Sequence, residues 1–155
     1  MLSFRKALKI ALLLLIAGTI AFIFTQSMLP QEQSAQQSDK VGDILEEIIP
    51  PETPVGGYVQ ENVRKIAHFV EFAVLGVWVA LYLILFLKKY VYAALSYLFA
   101  LVLALFDETI QIFSGRGPDV IDVWIDFAGY ASFFTLVFLL SILVIFIYER
   151  RKNKA

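Results

Sequence analysis

The chain has 155 residues, no cysteine and a formal net charge of −1, and 59% of its residues are hydrophobic. That share exceeds the roughly 45–50% of ordinary soluble domains, so the expected class is a one-domain integral membrane protein, in which four spans of ~20 residues take about half the chain. Disulfide and thiolate chemistry are excluded, and a near-neutral balance gives no electrostatic footing for nucleic acid as a partner.

In chain order, the basic leader M-L-S-F-R-K-A-L-K precedes a nearly continuous apolar run over 10–29, which predicts a first span. A cleaved signal peptide is the rival reading, with S-A-Q near Ala35 as the cleavage site. The apolar run is longer than the usual signal-peptide core, which favours the span. The Gln- and Ser-rich stretch from Pro30 to Ser38 reads as an unstructured linker. Beyond it Val41, Ile44, Leu45, Ile48 and Ile49 recur at helical spacing, with Asp43, Glu46 and Glu47 on the other face. This is a short amphipathic helix, stopped by Pro50 and Pro51. Interfacial helices usually carry a basic face, so packing on the protein is expected. Further spans follow over 66–87, closed by Lys88 and Lys89, over 90–113, and over 119–148 before the basic tail E-R-R-K-N-K-A. The expected fold is all-α: a four-transmembrane-helix bundle with a short extracytoplasmic amphipathic helix in the 30–61 loop.

Charge distribution sets an expected orientation. Arg5, Lys6, Lys9, Lys88, Lys89, Arg150, Arg151, Lys152 and Lys154 fall at one end of the spans, with Glu149 the one acid among them. By the positive-inside rule that end is cytoplasmic, with both termini inside. The acidic 30–61 loop and the turn S-G-R-G-P then lie outside.

The unusual polar residues gather at that outer end. Asp107 and Gln111 are four apart and Glu108 and Gln111 three apart, so they share a helical strip. Asp119, Asp122 and Asp126 form an acidic stripe on the return helix, and Arg64, His68 and Glu71 share one face of the second span. Gly115 and Gly117 permit a tight turn around Arg116, and Pro118 suits a first helical position. Asp119 has an ordinary explanation as a capping residue, whereas Asp126 lies ~12 Å further along the helix, beyond capping range.

Charge at membrane depth costs about 2.5–3.5 kcal/mol per Asp, Lys or Arg on insertion scales, so such residues face a bundle interior or a wet cavity. A structural network, with Arg64 and Arg116 neutralising carboxylates, is one reading. Six acids (Glu71, Asp107, Glu108, Asp119, Asp122 and Asp126) however meet only Arg64, Lys65, His68 and Arg116, which leaves carboxylates over for a ligand or for hydration. His68 and Glu71 have the i, i+3 spacing of a metal-binding pair, but one histidine in a reversed and unrepeated E-x-x-H order argues against a transition metal. No metal and no cofactor is therefore expected. Charge is absent from the inner halves of the spans, which ranks transport last.

R-K-x-x-H-F-x-E-F at Arg64 to Phe72, D-E-x-x-Q-x-F at Asp107 to Phe113, Gly115–Arg116, and D-x-x-x-D-x-x-G at Asp122 to Gly129 resemble the VanZ-like family. Ser27 stands where that family shows a serine near the end of its first helix. The resemblance spans nearly the whole chain outside the 30–61 loop. Departures are Asp126 where the family pattern often has Asn, Phe106 where it has Ser, and Ser114 where it has Pro. The resemblance implies a multipass protein of the bacterial cytoplasmic membrane, in a family named for glycopeptide (teicoplanin) resistance. It names a place in biology and not a reaction.

Two functions are carried forward. In the first, an outer-leaflet pocket binds or modifies an envelope lipid, a lipid-linked cell-wall precursor or a glycopeptide. Arg64, Lys65, Gln111, Arg116, Asp122 and Asp126 would hold the ligand, and His68, Glu71, Asp107 and Glu108 would do acid–base work. In the second, the protein is a non-catalytic membrane partner whose polar cluster is structural.

Overall fold

The computed structural model describes residues 3–87, 90–117 and 119–152, and every regular element among them is helical. The elements are α1 (Phe4–Ser27), α2 (Gln31–Glu46), α3 (Pro54–Glu61), α4 (Val63–Tyr82), α5 (Tyr90–Phe113) and α6 (Val120–Lys152). A single π-helical stretch, Leu83–Leu87, prolongs α4. Four segments are long and apolar enough to cross a membrane: Phe4–Ser27, Val63–Leu87, Val91–Phe113 and Val120–Tyr148. The protein is thus an all-helical, multipass membrane protein, and the sequence-based fold class holds. The end of α1, the start of α4, the end of α5 and the start of α6 meet at one end of the bundle, where Ser27 is joined to both Asp107 and Ser114.

Several boundaries move. α1 begins at Phe4 rather than residue 10, taking Arg5, Lys6 and Lys9 into the helix. Long basic side chains are good helix formers and can extend their charges away from the apolar layer, so they need not end it. α4 begins at Val63, which places Arg64 and Lys65 inside its first turn. The roles expected of Pro118, Lys88, Lys89 and Lys154 fall outside the described residues.

The linker expected over Pro30 to Ser38 is instead the first half of α2. Between Pro30 and Val41 there is no glycine and no further proline, glutamine is a favourable helix former, and Glu32 sits in the first turn, where the helix dipole favours it. Tertiary contacts reinforce this local preference. Gln26 donates to Gln37 at 3.1 Å, Gln60 donates to the Gly42 carbonyl at 3.0 Å, and Gly42 is buried. The expectation that the apolar face of this helix packs on the protein is corrected as well. Val41, Ile44 and Ile48 are exposed, and only Leu45 and Ile49 are half-buried. After a turn, Thr53 caps α3 by accepting from the Gly56 backbone N–H at 2.9 Å, with Pro54 at the first helical position.

The core is built chiefly between α4 and α6, which share the most extensive interface in the molecule. Phe72, Leu75, Val79 and Ala80 of α4 pack against Tyr130 and Phe134 of α6, with Ala100, Leu103 and Ala104 of α5 closing the third side. Outside the core, Leu14, Phe22, Leu98, Leu105, Leu140 and Ile145 are exposed, a surface suited to lipid rather than water. Small residues set the helix spacing. A Cβ at Gly129 would lie 2.2 Å from the Phe69 carbonyl oxygen, and one at Gly76 would lie 2.5 Å from that of Tyr130.

The Gly129 contact lies one residue from His68 and about one turn from Asp126, so it fixes the distance between the two helices where their polar residues face each other. Gly129→Ala should therefore lower thermal stability by about 1–3 kcal/mol, the range for overpacking. Gly18→Ala, which meets nothing within 4 Å inside a helix, should be neutral to slightly stabilising. Thermal unfolding in detergent checks the pair; equal behaviour would show that α4 and α6 do not depend on this close approach.

Candidate functional site

The polar cluster begins with the way α5 ends. Gly115 has φ 73°, a left-handed conformation in which glycine is favoured. Its N–H bonds the Ile112 carbonyl at 3.2 Å, and the Arg116 N–H bonds the Gln111 carbonyl at 3.1 Å. These two bonds make a Schellman cap, which folds the chain back over the last turn of α5. Arg116 is thereby carried from the turn to a buried position, where its guanidinium donates to the Gln26 carbonyl at 3.1 Å. Ser114 meanwhile donates to the Ser27 carbonyl at 2.7 Å, tying the turn to the end of α1.

A chain of hydrogen bonds runs through the bundle below this turn. Arg64 of α4 donates to Gln111, Gln111 donates to Asp107 at 2.8 Å, and Ser27 of α1 donates to the other oxygen of Asp107. Asp107, Gln111 and Asp126 are each 0% exposed, a degree of burial that carboxylates tolerate only with partners. His68 lies between the two acids, its Nδ1 3.6 Å from Asp107 and 3.3 Å from Asp126. Side-chain donor atoms of His68, Asp107 and Asp126 all lie within 4.8 Å of one another.

Ion pairing is distributed unexpectedly. Among the described residues, the only side-chain ion pairs are the two that His68 makes. Neither arginine neutralises a carboxylate, as the structural-network reading requires; Arg64 bonds a neutral amide and Arg116 a backbone carbonyl. Both keep a buried Nε without a hydrogen-bond partner. Burial, and then the nearby Arg64 guanidinium, draw the pKa of Arg116 below the usual arginine value. Two cations thus stand near each other with no carboxylate in contact, while Asp107, Glu108 and Asp122 act on Arg116 at longer range.

A cavity of roughly 100 Å³ lies against these groups. Arg64, His68 and Glu71 of α4 line it together with Arg116 and Gln26, and Ser34, Gln37, Ser38 and Val41 of α2 form the opposite wall. The α2 contribution was missed because that segment read as linker. Its signal was present: Ser34, Gln37 and Ser38 recur at helical spacing ahead of Val41, but as polar rather than apolar residues.

The remaining expected site residues separate from this group. Glu108 accepts the Asp119 backbone N–H at 2.9 Å and so fastens the α5–α6 turn; its other oxygen is buried without a partner. Asp119 accepts the Ile121 N–H at 2.8 Å, the capping role that its position suggests. Asp122 is buried on the same side, with one oxygen unpartnered. Lys65 is half-buried and does not line the cavity. The fold thus brings together Ser27, Arg64, His68, Glu71, Asp107, Gln111, Arg116 and Asp126, and sets Lys65, Glu108 and Asp122 apart.

The motifs that carried the resemblance in sequence are those that meet here, one from each of α4, α5, the turn and α6. No curated protein and no solved structure matches the chain. A protein-family model described as VanZ/LLP1 matches residues 10–146, and the chain belongs to that family.

Proposed function

We propose that this VanZ-family protein binds the anionic head of an envelope lipid or lipid-linked cell-wall precursor at the outer leaflet, and through it contributes to glycopeptide-type resistance. The observation that carries this reading is the pair of guanidinium groups, Arg64 and Arg116, lining one cavity without a carboxylate partner and each with an orphaned N–H. A buried unsatisfied donor costs about 1–3 kcal/mol, and a phosphate or carboxylate supplies acceptors with the charge and geometry that guanidinium groups match.

Size argues for a head group. At roughly 100 Å³ the cavity is well below the ~300–1,000 Å³ of drug-sized pockets, so an intact glycopeptide does not fit inside it. A lipid has somewhere to place its tail. An apolar groove of roughly 410 Å³ between α1 and α4 is lined by Leu14, Leu15, Phe22, Val70 and Val74, and Glu71 borders both this groove and the cavity. The exposed apolar edge of α2, Val41, Ile44 and Ile48, adds a surface at the same end of the bundle that suits the bilayer interface. Placement at the outer leaflet follows from the basic residues gathered at the opposite end of the spans.

Native mass spectrometry of gently extracted protein should show an anionic lipid that survives on the wild type. Removing a charge-assisted hydrogen bond costs about 1.5–3 kcal/mol, so Arg64→Gln and Arg116→Gln should each weaken its retention roughly 10- to 100-fold. Glu71→Gln should leave melting behaviour unchanged and abolish the resistance phenotype. Retention unaffected by both arginine changes would contradict an anion site; unfolding of the Glu71 variant would place Glu71 in the structural framework.

Orientation has a separate test, made clean by the absence of native cysteine. A Glu47→Cys protein should react in intact cells with a membrane-impermeant maleimide, because Glu47 is exposed in the α2–α3 region. Labelling only after permeabilisation would invert the topology.

A further inference from the structure

We infer that His68, Asp107 and Asp126 form a binding site for one divalent first-row transition-metal ion. The three side chains come from three different helices, α4, α5 and α6, and their donor atoms converge within 4.8 Å. Around an ion with bonds of ~2.0–2.1 Å in tetrahedral arrangement, neighbouring donors stand about 3.3–3.4 Å apart. His68 Nδ1 stands 3.3 Å from Asp126 and 3.6 Å from Asp107, close to that spacing. Neither contact makes a hydrogen bond: His68 Nδ1 and both oxygens of Asp126 are buried with no hydrogen-bond partner. A fully buried carboxylate with both oxygens unpartnered is strongly disfavoured unless a cation, here either a protonated His68 or a bound metal ion, meets it. Among the described residues no lysine or arginine does so.

The surroundings resemble the outer sphere of a metal centre. Asp107 is held by Ser27 and Gln111, and Gln111 is in turn held by Arg64, so one ligand is fixed in orientation by a relay of partners. An imidazole nitrogen in the donor set selects zinc, manganese or iron over magnesium and calcium, which prefer oxygen alone. Three protein ligands leave a further coordination position open, and His68 lies on the wall of the cavity that Arg64, Glu71 and Arg116 share. The inference departs from the expectation of no metal. That expectation weighed His68 with its sequence neighbour Glu71, whereas the fold supplies Asp107 and Asp126 from other helices. Metal binding at these residues does not require the anion site to be correct.

The test uses full-length protein in nanodiscs, stripped with chelator and then titrated separately with zinc, manganese, cobalt and magnesium. Expected is about one zinc or manganese per chain with a raised melting temperature, no response to magnesium, and visible d–d absorption with cobalt. Asp126→Asn, which keeps the side-chain shape and removes the negative charge, should bind zinc at least about tenfold more weakly. Gln111→Ala should weaken binding about 10- to 100-fold through loss of outer-sphere support. Arg116→Gln, whose guanidinium bonds the Gln26 carbonyl and takes no part in that relay, should lose anion retention but still load metal, which separates failure of the anion site from failure of this one. Absence of both a melting shift and a cobalt spectrum in the wild type would overturn the inference, whatever the variants do. Equal zinc binding by wild type and Asp126→Asn would overturn it too, because the metal would then be held elsewhere.

Discussion

Separation of charge at one end of an apolar bundle is the constraint on which the rest of this structure depends. Buried acids and buried arginines occupy neighbouring positions, yet no arginine–carboxylate pair forms among the described residues. An ion pair would be the easiest way to lower the penalty of placing such groups among membrane helices, since attraction between charges is strong where water is scarce. Instead Arg64 is tied to an amide, Arg116 to a carbonyl, and the acids Asp107 and Asp126 converge on one histidine. Such an arrangement leaves a positive place and a negative place side by side, each with unmet bonding capacity. On the proposed reading, both are met by partners outside the polypeptide.

Holding those places apart demands backbone accuracy, and the chain achieves it with small residues near the site. Gly129 lets α6 approach the Phe69 carbonyl closely enough for Asp126 to reach His68. Gly115 adopts the left-handed turn that returns Arg116 over the end of α5. Ser27 and Ser114 then lock α1 to α5 by hydrogen bonds at the same level. The stacked aromatic rings of Tyr130, Phe134 and Phe138 continue the α6 side of the core away from the polar end. Packing below and capping above thus converge on a single layer of polar side chains.

Much of this was legible in the sequence, for physical reasons. Apolar runs of span length and the segregation of lysine and arginine reveal membrane helices, because the bilayer imposes both. Helical spacing placed Arg64, His68 and Glu71 on one face, and Asp107 with Gln111 on another, and those faces do meet. Pairing across helices was not legible. One reading of the sequence had the arginines neutralise acids, and only the fold shows Gln111 interposed between Arg64 and Asp107. Likewise Glu108 read as one of a reactive pair with Asp107, but adjacent helical residues point in different directions, and Glu108 turns toward the α5–α6 junction. The first half of α2 was misread because its residues toward the cavity, Ser34, Gln37 and Ser38, are polar, and a search for apolar periodicity passes over them.

An experimental structure of the protein in native lipid, with anomalous scattering recorded near transition-metal absorption edges, tests charge separation most directly. Expected are a single anomalous peak between His68, Asp107 and Asp126, and a distinct anionic density bridging Arg64 and Arg116. Arg64 or Arg116 found in direct contact with Asp107, Asp126 or Glu71, with only water in the cavity, would contradict it, and the polar cluster would then be a structural network.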